Sequence, residues 1–114
     1  MTIDPKNKLR LHHIAEAAKH IADFINGVSR EEFKNDYEKQ SAVIRQFEII
    51  GEAASKLTLE FTKQHTEIDW SKVTRMRHKM IHDYFDVDVN IVWITAVDDV
   101  QTLKSSIEKI LNNN

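Results

Sequence analysis

Trp70-Ser71-Lys72-Val73-Thr74-Arg75-Met76-Arg77-His78-Lys79-Met80-Ile81-His82-Asp83-Tyr84-Phe85 is the stretch on which both fold and function turn. At roughly 100° per residue, Trp70, Val73, Met80, Ile81 and Tyr84 form one apolar helical stripe, with Met76 and Phe85 at its margins. Arg77 falls inside that stripe. Taking a guanidinium out of water is costly unless it is paired and hydrogen-bonded, so the chain must supply an anion there, either a carboxylate or a bound phosphate. His78 and His82 are neighbours on the solvent edge beside the stripe. No acidic residue lies between Trp70 and His82, whereas Lys72, Arg75, Arg77 and Lys79 bring fixed positive charge, a setting that favours phosphate.

The same period recurs outward from this segment. From about Pro5 to Asn26, Leu11, Ile14, Ala17, Ala18, Ile21, Phe24 and Ile25 predict a core helix that Gly27 stops. Ser29 and Glu32 form a capping box for a short turn holding Phe33, and Asp36 caps again. A second long helix is expected from about Tyr37 to Thr62, burying Val43, Phe47, Ile50, Ala54, Leu57 and Phe61. Ile44 and Gly51 lie on its flank, where a helical glycine implies close packing, and Arg45, Glu48 and Glu52 either pair among themselves or reach Arg77. Residues from about Lys63 to Asp69 read as a connection. Asp86-Val87-Asp88 ends the motif helix and caps a last one, roughly Val89 to Leu111, with Val92, Trp93, Ala96, Val100, Leu103, Ile107 and Ile110 on its inner face. Asn112 to Asn114 should fray.

The 114 residues suit a single domain spanning 1–114, and two Gly, one Pro and no alternating strand pattern indicate an all-α fold. A net charge of -2 excludes a generally basic nucleic-acid coat and leaves room for a local basic patch. Without cysteine there is no disulfide or thiolate chemistry, no apolar leader follows Met1, and no run approaches a membrane span, so a cytoplasmic protein is expected.

Several clusters have ordinary structural explanations. His13, Glu16 and His20 have metal-ligand spacing on a face that otherwise reads as solvated. Asp83, Asp86 and Asp88 lack the Gly and distal Glu of a calcium loop, and capping accounts for them. Met76 and Met80 read as core fillers and Trp70 and Trp93 as packing. No metal site or cofactor is assigned.

Arg77 and His82 suit RNA cleavage, since imidazole can take a 2′-hydroxyl proton near neutral pH while guanidinium holds phosphate. Five residues rotate by about 140° along a straight helix, so the two side chains leave different faces. Arg77 must wrap round the helix, or the helix must distort, or a second copy must complete the site about a two-fold axis, which is the preferred reading. Against it stands a buried salt bridge from Arg77 to Glu48 or Glu52, with His82 an ordinary edge residue.

The run Arg77-x4-His82-x-Tyr84 resembles the signature of the HepT toxins, ribonucleases of the HEPN superfamily. Ile49-Ile50-Gly51-Glu52-Ala53, Trp70, Phe85 to Asp88 and Val92-Trp93 fit the same pattern, so the likeness covers most of the chain from Ile14 to Leu111. The resemblance implies a HEPN-like antiparallel bundle of four to five helices in a symmetric homodimer, with a composite, metal-independent endoribonuclease site cutting RNA, tRNA being one candidate. It further implies the toxin of a type VII toxin-antitoxin system, neutralised when a minimal nucleotidyltransferase antitoxin of the MntA kind attaches AMP to Tyr84. Arg77 and His82 are then catalytic, and His78, Lys72, Arg75 and Lys79 auxiliary or RNA-binding. The alternative is a non-enzymatic helical module that binds a nucleotide or a protein.

Overall fold

Asp4 accepts a hydrogen bond from the Lys6 N–H at 2.8 Å and Pro5 takes the first helical position, so α1 (Pro5–Ile25) starts where those residues place it. The computed structural model describes residues 2–79 and 88–113, and of His78 and Lys79 the backbone alone. Gly27, at φ +74°, turns the chain in a backbone region that side chains rarely adopt. The capping box of Ser29 and Glu32 then opens α2 (Arg30–Lys34), and Asp36 caps α3 (Tyr37–Ser55) through the Lys39 N–H. After α3 come α4 (Leu59–Gln64), α5 (Trp70–Lys79), α6 (Val89–Ile94), a π turn over Thr95–Asp99 and α7 (Val100–Asn112). All regular elements among the described residues are helical.

The core is the one that the helical period predicts. Leu11, Ile14, Ala18 and Ile21 of α1 are fully buried, facing Val43, Phe47 and Ile50 of α3 and Ala96, Val100 and Ile107 of the last helical segment. Phe33 is fully buried too, its ring centroid 5.2 Å from that of Trp93, which makes Trp93 a packing residue. With α1 against one side of α3 and α5 against another, α3 is the element that positions the candidate site.

Three expectations about boundaries need correction. The helix expected to run from Tyr37 to Thr62 is two helices. The Asn7 amide, buried in α1, explains the break: its Nδ2 donates to Thr58 Oγ1 at 3.0 Å and its Oδ1 accepts from the Thr58 N–H at 3.1 Å. That N–H is therefore unavailable to an unbroken helix, and Lys56 and Leu57 instead donate three residues back, to Ala53 and Ala54. Thr58 Oγ1 accepts from the Phe61 N–H at 3.2 Å and caps α4, so the connection shrinks to His65–Asp69. The last helix likewise carries a π turn, and its regular part ends at Asn112.

Asp88 accepts from the Asn90 and Ile91 N–H groups at 3.0 and 3.3 Å, as expected of a cap. The rest of the stretch expected to be the motif helix, with Met80, Ile81, Asp83, Phe85 and the Asp86-Val87 part of its expected end, lies outside the described residues.

Because Thr58 serves both Asn7 and the start of α4, Thr58→Ala should cost about 1–2 kcal/mol, seen as a lower urea midpoint, while Thr58→Ser retains most of the stability.

Candidate active site

Gly51 fixes the site by what it lacks. A Cβ on Gly51 would lie 2.7 Å from the backbone N of Arg77, 2.8 Å from its Cβ and 2.9 Å from the Thr74 carbonyl oxygen. Only hydrogen at that position lets α5 pass so close to α3, which is the tight seam that a helical glycine on the flank predicts. The approach delivers the base of the Arg77 side chain to the α3 surface one turn below Ser55.

The guanidinium meets two α3 side chains there. Arg77 Nη1 donates to Glu52 Oε2 at 2.9 Å and to Ser55 Oγ at 3.3 Å. The Ser55 hydroxyl spends its own proton on the Glu52 carbonyl oxygen at 2.7 Å, so toward Arg77 it acts as an acceptor. Glu52 Oε1 also reaches Lys56 Nζ at 3.4 Å, whereas Glu48 is engaged by Arg45 at 3.1 Å. Of the two carboxylates expected to compete for Arg77, Glu52 is the partner. The hydrogen bond from Arg77, followed by that from Lys56, holds the Glu52 carboxyl below the ordinary glutamate range.

The expectation of a buried salt bridge is nevertheless corrected. The side chains of Arg77 and Glu52 remain 35% and 53% exposed. Among the described side chains of α5, Val73 and Met76 are buried, which moves Met76 from the margin into the stripe and Arg77 to its edge. Trp70 is half-buried, donates its indole N–H to the His65 carbonyl at 2.9 Å and sets its ring 5.9 Å from that of Phe61, so it packs and does not present a stacking face.

The basic strip is less uniform than the sequence suggests. Lys72 pairs with Asp99 of the π turn at 3.3 Å, away from the Glu52 partner of Arg77, while Arg75 is exposed. Two of the cations thus carry carboxylates brought in by tertiary packing, which a count along α5 cannot reveal. His82 and Tyr84 lie outside the described residues, as do the side chains of His78 and Lys79. At the other candidate metal cluster, Glu16 and His20 form a surface pair at 3.3 Å and His20 also meets Gln46. No His, Asp or Glu group among the described residues converges as a metal site would.

Ser55 is the residue that sequence reasoning missed. Its signal was present in its spacing, four residues after Gly51 and three after Glu52, which puts all three on one helical edge.

Residues 14–110 match the family model described as ribonuclease HepT-like. The chain belongs to the HepT-like ribonuclease family. It is 44% identical over 100 residues to a protein of Thermococcus cleftensis named probable ribonuclease HepT, covering 88% of this chain and 91% of that one. It is 35% identical over 101 residues to a candidate RNase of Caldanaerobacter subterraneus subsp. tengcongensis, covering 89% and 90% of the two chains. A candidate RNase of Methanocaldococcus jannaschii is 36% identical over 111 residues, 96% of this chain and 92% of its own. No solved structure gives a match. Among the described residues no helix is long and apolar enough to cross a membrane.

Two predictions follow from this geometry. Gly51→Ala forces backbone apart and should cost about 1–3 kcal/mol, read as a lower urea midpoint. For Glu52, the folded pKa lies below the unfolded one, so its contribution to stability is present at neutral pH and disappears only as pH falls through the depressed folded value. A carbon-13 titration of the Glu52 carboxyl should show that depressed midpoint, and Arg77→Ala should move it upward.

Proposed function

We propose that the chain is a metal-independent endoribonuclease with Arg77 and His82 as its catalytic residues. The observation that carries this reading is the match to the HepT-like family over residues 14–110, a span that includes the whole run from Arg77 to Tyr84. The described geometry agrees with it in one respect. Arg77 keeps 35% of its side chain exposed, so a phosphodiester can reach the guanidinium from solvent.

In the proposed reaction His82 removes the proton of the 2′-hydroxyl, whose oxygen attacks the adjacent phosphorus. Arg77 stabilises the charge that grows on the non-bridging oxygens, and the 5′-oxygen leaves with a proton from a second acid, a His82 from another copy of the chain. The products are a 2′,3′-cyclic phosphate and a 5′-hydroxyl. His78, Lys72, Arg75 and Lys79 are assigned to orientation of the substrate and to its backbone, with Lys72 first exchanging Asp99 for phosphate.

The site is proposed to be completed in a symmetric homodimer, because the rotation between positions 77 and 82 separates the two side chains on one straight helix. By the same family likeness the protein is the toxin of a cytoplasmic type VII toxin-antitoxin system. Its nucleotidyltransferase partner transfers AMP to the Tyr84 hydroxyl and releases pyrophosphate from ATP. The anionic adduct then blocks the incoming phosphodiester by bulk and by charge.

The Arg77–Glu52 pair favours one rival reading, a binding module in which Arg77 is scaffolding. Purified protein, Arg77→Ala and His82→Ala are incubated with total RNA in EDTA. The ribonuclease cuts RNA to cyclic-phosphate ends as wild type and loses at least about 100-fold in rate as either variant while staying folded, whereas a binding module leaves RNA intact in every tube. Coexpression with the partner enzyme should raise the intact mass by about 329 Da per AMP unit, and Tyr84→Phe should abolish that gain.

A further inference from the structure

One turn of α3 is given over to holding a single residue of α5. Gly51 admits the Arg77 backbone, Glu52 takes its Nη1 at 2.9 Å, and Ser55 takes the same nitrogen at 3.3 Å. These contacts fix Arg77 at both ends of its side chain. The Ser55 hydroxyl is itself oriented by the Glu52 carbonyl at 2.7 Å, and the Glu52 carboxylate is braced on its other oxygen by Lys56 at 3.4 Å. An arginine side chain has several rotatable bonds, and holding it in one rotamer before substrate arrives removes an entropic cost from the reaction.

We propose that Glu52, seconded by Ser55, is a positioning residue for Arg77, retaining the guanidinium in its working orientation while a phosphodiester binds beside it. The proposal rests on the reading of Arg77 as the phosphate-holding group. Glu52 touches no reacting atom and acts through Arg77. It is not a placeholder that the phosphate must evict, since Nη1 is held by Glu52 Oε2 and Ser55 Oγ together, with the carboxylate braced through Oε1 by Lys56 and the hydroxyl oriented by the Glu52 carbonyl.

The effect should therefore appear in the chemical step more than in binding. Glu52→Gln keeps size and shape, removes the charge, and loosens the guanidinium. It should lower kcat by about 10- to 100-fold, the scale of a small misplacement of a catalytic group, with KM changed by less than about threefold. Ser55→Ala should show a smaller loss of the same kind. In an Arg77→Ala background Glu52→Gln should have no further effect on kcat, which a merely structural role for Glu52 would not produce.

The experiment measures kcat and KM on one defined RNA for wild type, E52Q, R77A and the double variant, with thermal unfolding of each. In parallel, nitrogen-15 spectra of the Arg77 guanidinium are recorded without RNA. Support consists of a kcat loss that vanishes in the R77A background, together with slow, resolved Nη resonances in wild type that merge in E52Q. An E52Q enzyme with tighter RNA binding or faster turnover identifies Glu52 as a placeholder and overturns the proposal. So does an equal loss in both backgrounds. If wild type leaves the RNA intact, the ribonuclease reading fails on its own account. The spectra still decide whether Glu52 orders Arg77, and unchanged Nη resonances in E52Q then reject the positioning role.

Discussion

The missing methyl at Gly51 is the constraint on which the arrangement depends. With hydrogen there, α5 lies against α3 closely enough for the backbone of Arg77 and the carbonyl of Thr74 to occupy space that any side chain would claim. Val73 and Met76 then reach the core, and the guanidinium arrives beside Glu52 and Ser55. A wider seam would sacrifice both the burial on one face of α5 and the placement of charge on its edge. Packing and function are in this way set by the same contact.

Electrostatics follows from that packing. Along α5 the sequence is basic, and in isolation such a helix would gather anions from solution. In the fold, Glu52 and Asp99 approach it from two different elements, one at Arg77 and the other at Lys72. Both pairs stay largely in water, where ion pairing is weak and salt-sensitive. Two of the charges are thus paired without being sealed from solvent, and a polyanion can still bind beside them.

Much of this was legible in the sequence. The helical periods of α1 and α3, the capping box at Ser29, the caps at Asp36 and Asp88 and the close-packing role of Gly51 could be read directly, because each is a local rule written in nearby residues. The family likeness was equally visible in the run from Ile49 to Ala53 and around Arg77. What was not legible depends on partners far away in the chain. The break after Ser55 is enforced by Asn7, 51 residues from Thr58, and α3 would otherwise continue on propensity alone. The choice of Glu52 over Glu48 is likewise made by where α5 crosses, although Arg45 on the same face was available to settle Glu48. Ser55 was overlooked because a lone serine near a helix end is ordinary until its neighbour is known.

The π turn left a trace that helical reasoning smoothed over. Val92, Ala96 and Val100 follow one another in steps of four, which on a regular helix drifts by about 80° in two turns, yet all three are buried. The wider turn absorbs that drift: the Val100 N–H reaches back to Thr95, and Gln101 satisfies the Ala96 carbonyl at 3.2 Å. The segment therefore contains one residue more than its span requires. Deleting a residue within it would leave Val92 and Val100 seven positions apart on an ordinary helix, within about 20° of the same face, so both would stay directed at the core. The bulge thus stores a spare residue in the C-terminal rod: a codon lost there leaves both halves aimed as they are, whereas one lost from a regular stretch turns one half against the other by about 100°.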